Sequence, residues 1–304
     1  MKQYELTVDE DYIGERIDRY ISNVLADFSR TYIQKLISDD FVLLNGKPCK
    51  ASTKVNENDS VTVITQDAVI PDIIPENISL NILYEDSDVI VINKPKDMVV
   101  HPAPGHYEHT LVNALMYHCQ NDLSGINGVL RPGIVHRIDK DTTGSIIACK
   151  NDYSHESIAK QLKDHSIIRE YIAVVDGIID ENEGVINKPI GRDNKDRKKM
   201  AVNVLPSKTA TTHYKVIERL KGHTLVRCIL ETGRTHQIRV HMASIGHPVT
   251  GDEVYGHQKP PIKTFGQALH AEILGFVHPR TGELIKTSAP LPEYFEKLLK
   301  LLRE

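Results

Sequence analysis

The sequence predicts a mixed α+β protein in two units. A small αβ head spans residues 1–65, a linker spans 66–79, and a larger unit spans 80–304. Three observations carry this. Within the head, apolar residues recur first at helical spacing and then in short alternating runs. The stretch after it contains Pro71 and Pro75 with Asp67, Asp72 and Glu76 and no base. Beyond it, many short β patterns are interrupted by a few helical ones, and no internal repeat is apparent.

In the head, Ile17, Ile21, Val24 and Leu25 mark a first helix from Gly14 onward. Ser29 is an N-cap candidate for a second, which continues through Ile33, Leu36 and Ile37. A strand from Phe41 runs into the Asn45-Gly46 turn, and 59–64 alternates as another strand. The second unit opens with 80–83 and then 88–93, a buried strand stopped by Pro95. Helices are expected at 110–117 and 154–163. A closing helix at 292–303 carries Phe295, Leu298, Leu299 and Leu302 on one face.

The chain has 304 residues, 40% hydrophobic and 26% charged, with ample apolar content for a core. No run approaches the ~20 apolar residues of a membrane span and no N-terminal signal run is seen, so a cytoplasmic protein is expected. Cys49, Cys119, Cys149 and Cys228 lie far apart with no CxxC pair and read as reduced core residues. Net charge is −4, which argues against indiscriminate nucleic-acid binding. Its distribution is uneven. Residues 1–64 hold 8 bases against 11 acids, whereas 78–304 hold 29 against 27. The segment 188–200 gathers Lys188, Arg192, Lys195, Arg197, Lys198 and Lys199 against Asp193 and Asp196. Such a run is either a solvated loop or an arm that grips phosphates.

The most informative stretch is 132–145, which sets Asp139 in a polar turn between apolar runs at 133–135 and 145–149, with Arg137 two residues before it. A turn of this kind can hold a carboxylate at the lip of a sheet. A calcium loop starting at Asp139 needs a carboxylate at its twelfth position, and Lys150 stands there. The glycines and Gly-Lys-Ser/Thr ending of a phosphate loop are absent. A strand at 168–176 places Tyr171 near its start. Residues 230–242 join a strand to a helix with Thr235 as N-cap candidate, Ile238, Met242 and Ile245 as core stripe, and Gly246 as the stop. His236 and His241 are five apart, whereas a helical zinc pair needs four, so no metal is expected.

Arg16-Ile17-Asp18, Ser29-Arg30, Leu36-Ile37, Val42-Leu43-Leu44-Asn45-Gly46 and Glu57-Asn58-Asp59 resemble an S4 RNA-binding domain in order and spacing. The resemblance implies that Arg16, Arg19, Arg30 and Lys35 face structured RNA. Asp40 stands where that family usually has glycine, and aspartate tolerates left-handed backbone better than most residues.

The larger unit resembles the RluA/RluD family of pseudouridine synthases. The residues that carry this are Asn93-Lys94-Pro95 with His101-Pro102, and His136-Arg137-Ile138-Asp139 with Thr143-Gly144. A third set is Thr232-Gly233-Arg234-Thr235-His236-Gln237-Ile238-Arg239-Val240-His241 with Gly246-His247-Pro248 and Gly251-Asp252. Leu269-His270-Ala271 and Ala289-Pro290-Leu291-Pro292 complete it. Ile138 and Thr143 replace the commoner leucine and serine. The resemblance implies a mixed, largely antiparallel sheet with peripheral helices, and isomerisation of uridine to pseudouridine without a cofactor. It assigns Asp139 to the ribose, Arg239 to pairing with it, and Tyr171 to the floor beneath the target base. Arg137 would fill the stack vacated by the flipped base, with His136 and Ile238 also on the substrate. A projecting hairpin with Arg192, Arg197, Lys198 and Lys199 would grip RNA. The substrate expected is large-subunit (23S) ribosomal RNA or a pre-ribosomal particle, handled by a monomer. A tRNA-directed synthase and a non-catalytic RNA-binding or ribosome-assembly protein are the alternatives.

Overall fold

The computed structural model describes residues 2–25, 28–65, 73–103, 106–120, 122–128, 131–194, 196, 199–256, 264 and 266–304. The chain folds as two units, 1–71 and 72–304.

The first unit contains β1 (Lys2–Thr7), α1 (Ile17–Val24), α2 (Arg30–Ser38), β2 (Val42–Leu44), β3 (Lys47–Pro48) and β4 (Ser60–Thr65). Its four strands form one sheet in the order β1-β4-β2-β3. Ser29 caps α2 by accepting a hydrogen bond from the Tyr32 amide at 3.2 Å, as its position implies. Asp40 adopts φ 60°, so the turn before β2 survives the loss of the usual glycine. Strand β1 was not anticipated. It lies at the edge of the sheet and half-buries only Tyr4 and Leu6, too weak an alternation to stand out in the sequence.

The second unit begins with β5 (Ile82–Glu85), β6 (Val89–Lys94), α3 (Leu111–Cys119), β7 (Thr143–Cys149), α4 (Asp152–Lys163) and β8 (Ile168–Asp176). There follow β9 (Glu183–Asn187), β10 (Ile190–Arg192), β11 (Met200–Val202), β12 (Ser207–Lys208), β13 (Thr211–Leu220) and β14 (His223–Leu230). The chain closes with α5 (Gln237–Ser244), β15 (Leu269–Val277), β16 (Leu284–Ser288) and α6 (Glu293–Arg303). The main sheet runs β5-β6-β7-β15-β8-β14-β13-β9, with β16 on β15. Every pairing is antiparallel except β7 with β15. Among the described residues of the expected linker, Ile73 is buried in this unit's core and Asn113 donates to the Ile74 carbonyl at 2.8 Å, so 73–79 lies on α3. Residues 66–72 lie outside the described ones.

This sheet is covered on both faces, which explains why β6 and β7 read as continuous apolar runs. Along β8, Tyr171, Ala173 and Val175 join the core formed with α3 and α5. Ile172 and Val174 point to the other side, where α6 packs Phe295, Leu298, Leu299 and Leu302. Thr110 caps α3 and Asn151 caps α4. The run 133–135 makes only an isolated bridge, Ile134 to Ala148, because Gly133 bends at φ 71° against the backbone of Cys149. No helix of the described residues is long and apolar enough to cross a membrane.

Candidate active site

The Asp139 turn is fixed from three sides. The Asp139 carbonyl accepts from the Thr142 amide at 3.1 Å, closing the turn. Immediately after it, Gly144 takes φ +106° where an added Cβ would sit 2.2 Å from the Ala271 carbonyl oxygen. Only glycine lets β7 lie that close to β15. Beneath the turn, the fully buried Lys94 donates to the carbonyls of Pro95, Met98 and Lys140 at 2.7, 2.9 and 2.9 Å. Burial pulls its ammonium down to about 7, against the pull of Asp141, Asp139 and Asp97. Its three carbonyl contacts make Lys94 a pin beneath the turn.

Asp139, partly exposed, reaches Arg239 of α5. Arg239 Nη1 donates to Asp139 Oδ2 at 2.9 Å, while Nε and Nη2 donate to Asp252 Oδ2 and Oδ1 at 2.6 and 2.9 Å. Asp252 is buried and also accepts from the Val254 and Tyr255 amides at 2.9 and 3.1 Å. Burial lowers the Arg239 pKa, but Asp252 and Asp139 together hold it above its ordinary value. For Asp252, burial works upward and the guanidinium outweighs it, leaving the carboxyl below its usual range. One guanidinium thus bridges two carboxylates in a fixed fork.

His236 takes a left-handed conformation (φ 56°) just before α5, so the helix begins one residue later than a Thr235 cap would place it. Its Nδ1 lies 2.8 Å from the Tyr255 hydroxyl, which itself accepts from the Met200 amide at 2.8 Å. With its oxygen accepting from that amide, the phenol can donate to Nδ1, and His236 Nε2 lies 3.8 Å from Asp139 Oδ1. Gln237 stitches the helix start in place, accepting from Thr232 Oγ1 and the Arg234 amide and donating to Thr211 O and Thr212 Oγ1.

A cavity of 430 Å³ opens on this array, and Arg137, Asp139, Tyr171, Ile238 and Arg239 all line it. Tyr171 is 7% exposed, and burial pushes its phenol up. Arg137 is exposed and donates to Thr235 Oγ1 at 2.8 Å. His136 lines the cavity, but its Nε2 accepts from the Ile147 amide at 3.1 Å. Burial, and secondarily Arg169, depresses it to about 3, so it is a neutral pin to β7. Ile238 is both cavity wall and core.

The remaining candidates lie elsewhere. Arg192 ends β10 opposite Met200 of β11, and Lys199 is half-buried; Lys195, Arg197 and Lys198 lie outside the described residues. In the first unit, Arg16 and Arg30 are not free cations. Both donate to Asp18, which is fully buried, with shortest contacts of 3.0 and 2.8 Å, and Gln34 adds a third donor at 2.7 Å. Their guanidiniums remain about two-fifths exposed, and Lys35 is exposed on α2. His241 spends Nδ1 on Thr212 Oγ1 and Nε2 on the Lys188 carbonyl. Among the described residues, one group has metal-ligand spacing: Asp86, Asp88 and His278. There, Asp88 is held bidentately by Arg280, and His278 donates to Asp86. That network is already satisfied without an ion.

The model of the RNA pseudouridylate synthase family matches residues 88–244, and that of the S4 domain matches 15–61. The chain belongs to the RNA pseudouridylate synthase family. It is 52% identical to the uncharacterized RNA pseudouridine synthase YlyB of Bacillus subtilis, across 100% of this chain and 99% of that one. Identity is 44% to ribosomal large subunit pseudouridine synthase D of Zymomonas mobilis, across 99% and 98%. Human RNA pseudouridylate synthase domain containing 1 superposes with a TM-score of 0.57 at 26% identity, covering 74% of this chain and 95% of that one. The synthase is thus an isomerase with an S4 domain ahead of its catalytic unit.

Tyr255 and Arg169 were not singled out from the sequence, and Asp252 was named only within the Gly251-Asp252 motif, with no role. A buried aspartate between Gly251 and Gly256 was the available signal for Asp252, because Gly251 (φ +76°) packs against Thr264 and Gly266 with no room for a side chain.

Proposed function

We propose that the synthase isomerises uridines of large-subunit ribosomal RNA, with Asp139 acting on the ribose. The observation that carries the chemical reading is Asp139 at the cavity wall, gripped on Oδ2 by Arg239 and open on Oδ1. The similarity of the whole chain to a protein named for the ribosomal large subunit supports the choice of RNA.

The target uridine leaves its stack and enters the cavity. Tyr171 lies under the base, where stacking contributes roughly 1–3 kcal/mol, and Arg137 at the rim takes the vacated place in the RNA. Asp139 uses its open oxygen on the sugar, either at C1′ or at the 2′ proton, and the N1–C1′ bond breaks. The base turns and C5 bonds to C1′ as Asp139 leaves the sugar or returns the 2′ proton; C5 then loses its proton to solvent and N1 takes one up. Atoms and electrons balance within the nucleotide, so the conversion itself needs no redox partner. Arg239 orients the carboxylate, and Asp252 holds Arg239. His236, held through Nδ1 by the Tyr255 hydroxyl, turns Nε2 toward the second carboxylate oxygen. In the head, Asp18 fixes Arg16 and Arg30 with their outer edges free for RNA phosphates, and Lys35 adds charge.

Asp139→Asn tests the assignment. The variant should bind RNA within a few-fold of wild type and release no C5 tritium; measurable turnover removes Asp139 from its role. Mapping pseudouridines by chemical labelling in cells with and without the protein tests the substrate: sites lost only from tRNA would overturn the ribosomal reading.

A further inference from the structure

Arg169 is a buried charge that the mechanism above does not use. It is 7% exposed, and no carboxylate pairs with it among the described residues. Nη2 donates to the Glu231 carbonyl at 3.0 Å, and Nε has no partner. Buried charges are ordinarily paired, and an unsatisfied one demands a reason. This one lines the same cavity as Asp139 and Tyr171. Residues 169 and 171 stand two apart on β8 and so share a face, roughly 7 Å apart. Lys163, His165 and Arg234 line the cavity with it, and Asp139, already bound by Arg239, is the one acid of that lining. At Gly233 a Cβ would come 2.6 Å from Arg169 Nη1, so the absence of a side chain there keeps the guanidinium clear.

We propose that Arg169 binds a phosphodiester of the RNA strand inside the catalytic cavity, beside the uridine lying on Tyr171. This rests on the function proposed above. A uracil carbonyl could accept one hydrogen bond but would leave the buried charge uncompensated. A phosphate supplies the missing anion, and its oxygens suit the fork of a guanidinium. The unpaired cation is then a cost carried by the free protein and relieved when RNA enters.

The probe is an oligoribonucleotide spanning a target uridine, with a single uncharged methylphosphonate linkage moved one position at a time. Binding is read by fluorescence anisotropy and turnover by C5 tritium release. In wild type, one linkage beside the target should weaken binding about tenfold, the scale of one charge-assisted hydrogen bond. Arg169→Gln should lose a similar factor with ordinary RNA and show no further loss at that linkage. Its melting temperature should stay level or rise, since an unpaired buried charge has been removed, whereas a purely structural arginine would lower it. Gly233→Ala, which keeps the charge but displaces Nη1, should lose the same sensitivity and carries the test if Arg169→Gln fails to fold. Full sensitivity retained in these variants, or none at any linkage in wild type, overturns the proposal. Linkage-sensitive binding by a wild type that releases no tritium would overturn the proposed function and leave the phosphate site standing.

Discussion

Asp252→Asn keeps the side-chain shape and removes one charge from the Arg239 array. Asp252 Oδ1 accepts from Nη2 and two backbone amides, and Oδ2 accepts from Nε at 2.6 Å. Asparagine has a single acceptor oxygen. If that oxygen stays with the amides, its NH2 group confronts Arg239 Nε–H, donor against donor. Breaking a buried pair by removing one partner costs roughly 3–5 kcal/mol. Arg239 keeps Asp139, which places the loss near the lower end, at about 3 kcal/mol. For a unit of this size that corresponds to a fall of about 6–12 °C in melting temperature. A guanidinium released on one side moves Asp139, and a displacement of about 1 Å costs on the order of 10²-fold in rate. Tritium release at saturating RNA, paired with thermal melts followed by circular dichroism, measures both. A kcat within twofold of wild type and melting within about 2 °C, less than about 1 kcal/mol for this size, would refute the reasoning that Asp252 orients the Asp139 carboxylate through Arg239.

Other outcomes follow from the same geometry. Tyr255→Phe strands the Met200 amide and releases His236 Nδ1. It should cost roughly 1–3 kcal/mol in stability and lower kcat; an unchanged kcat would mean that the hold on His236 does not matter. Asp88 is held at about 2 by Arg280, with burial opposing and Asn151 assisting. Since its pKa is below the unfolded value of about 3.9, its stabilising contribution is complete above that pH and disappears as pH falls toward 2. Asp88→Asn should therefore melt lower than wild type at pH 7 and lose less on acidification from pH 4 to 2. Identical acid profiles would place the stabilisation elsewhere.

Much of the architecture was legible where a local signal existed. Ser29 and Thr110 announce their helices because a side-chain oxygen before an apolar run satisfies orphan amides. The strands around Val91 and Ala173 were readable because burial on both faces leaves no room for polar residues. Arg239 could be matched to Asp139 only through resemblance, since 100 positions separate them and nothing local joins them. Asp252 was read as part of a loop, and its burial depends on Arg239 and two backbone amides that the fold brings together. Arg169 looked like one more charge in a strand; that it faces the cavity depends on the pairing of β8 with β14 and β15. Arg16 and Arg30 read as free cations because a buried aspartate between two helices leaves no trace in spacing.

Strand β15 separates β7 from β8, and the backbone of Ala271 presses against Gly144, just past the Asp139 turn. The wall that holds Asp139 and the wall that holds Tyr171 therefore join only when a segment near the carboxyl end is inserted between them. A growing polypeptide has already made both residues long before it makes the wedge. A chain stopped short of that wedge would hold both residues and no assembled pocket.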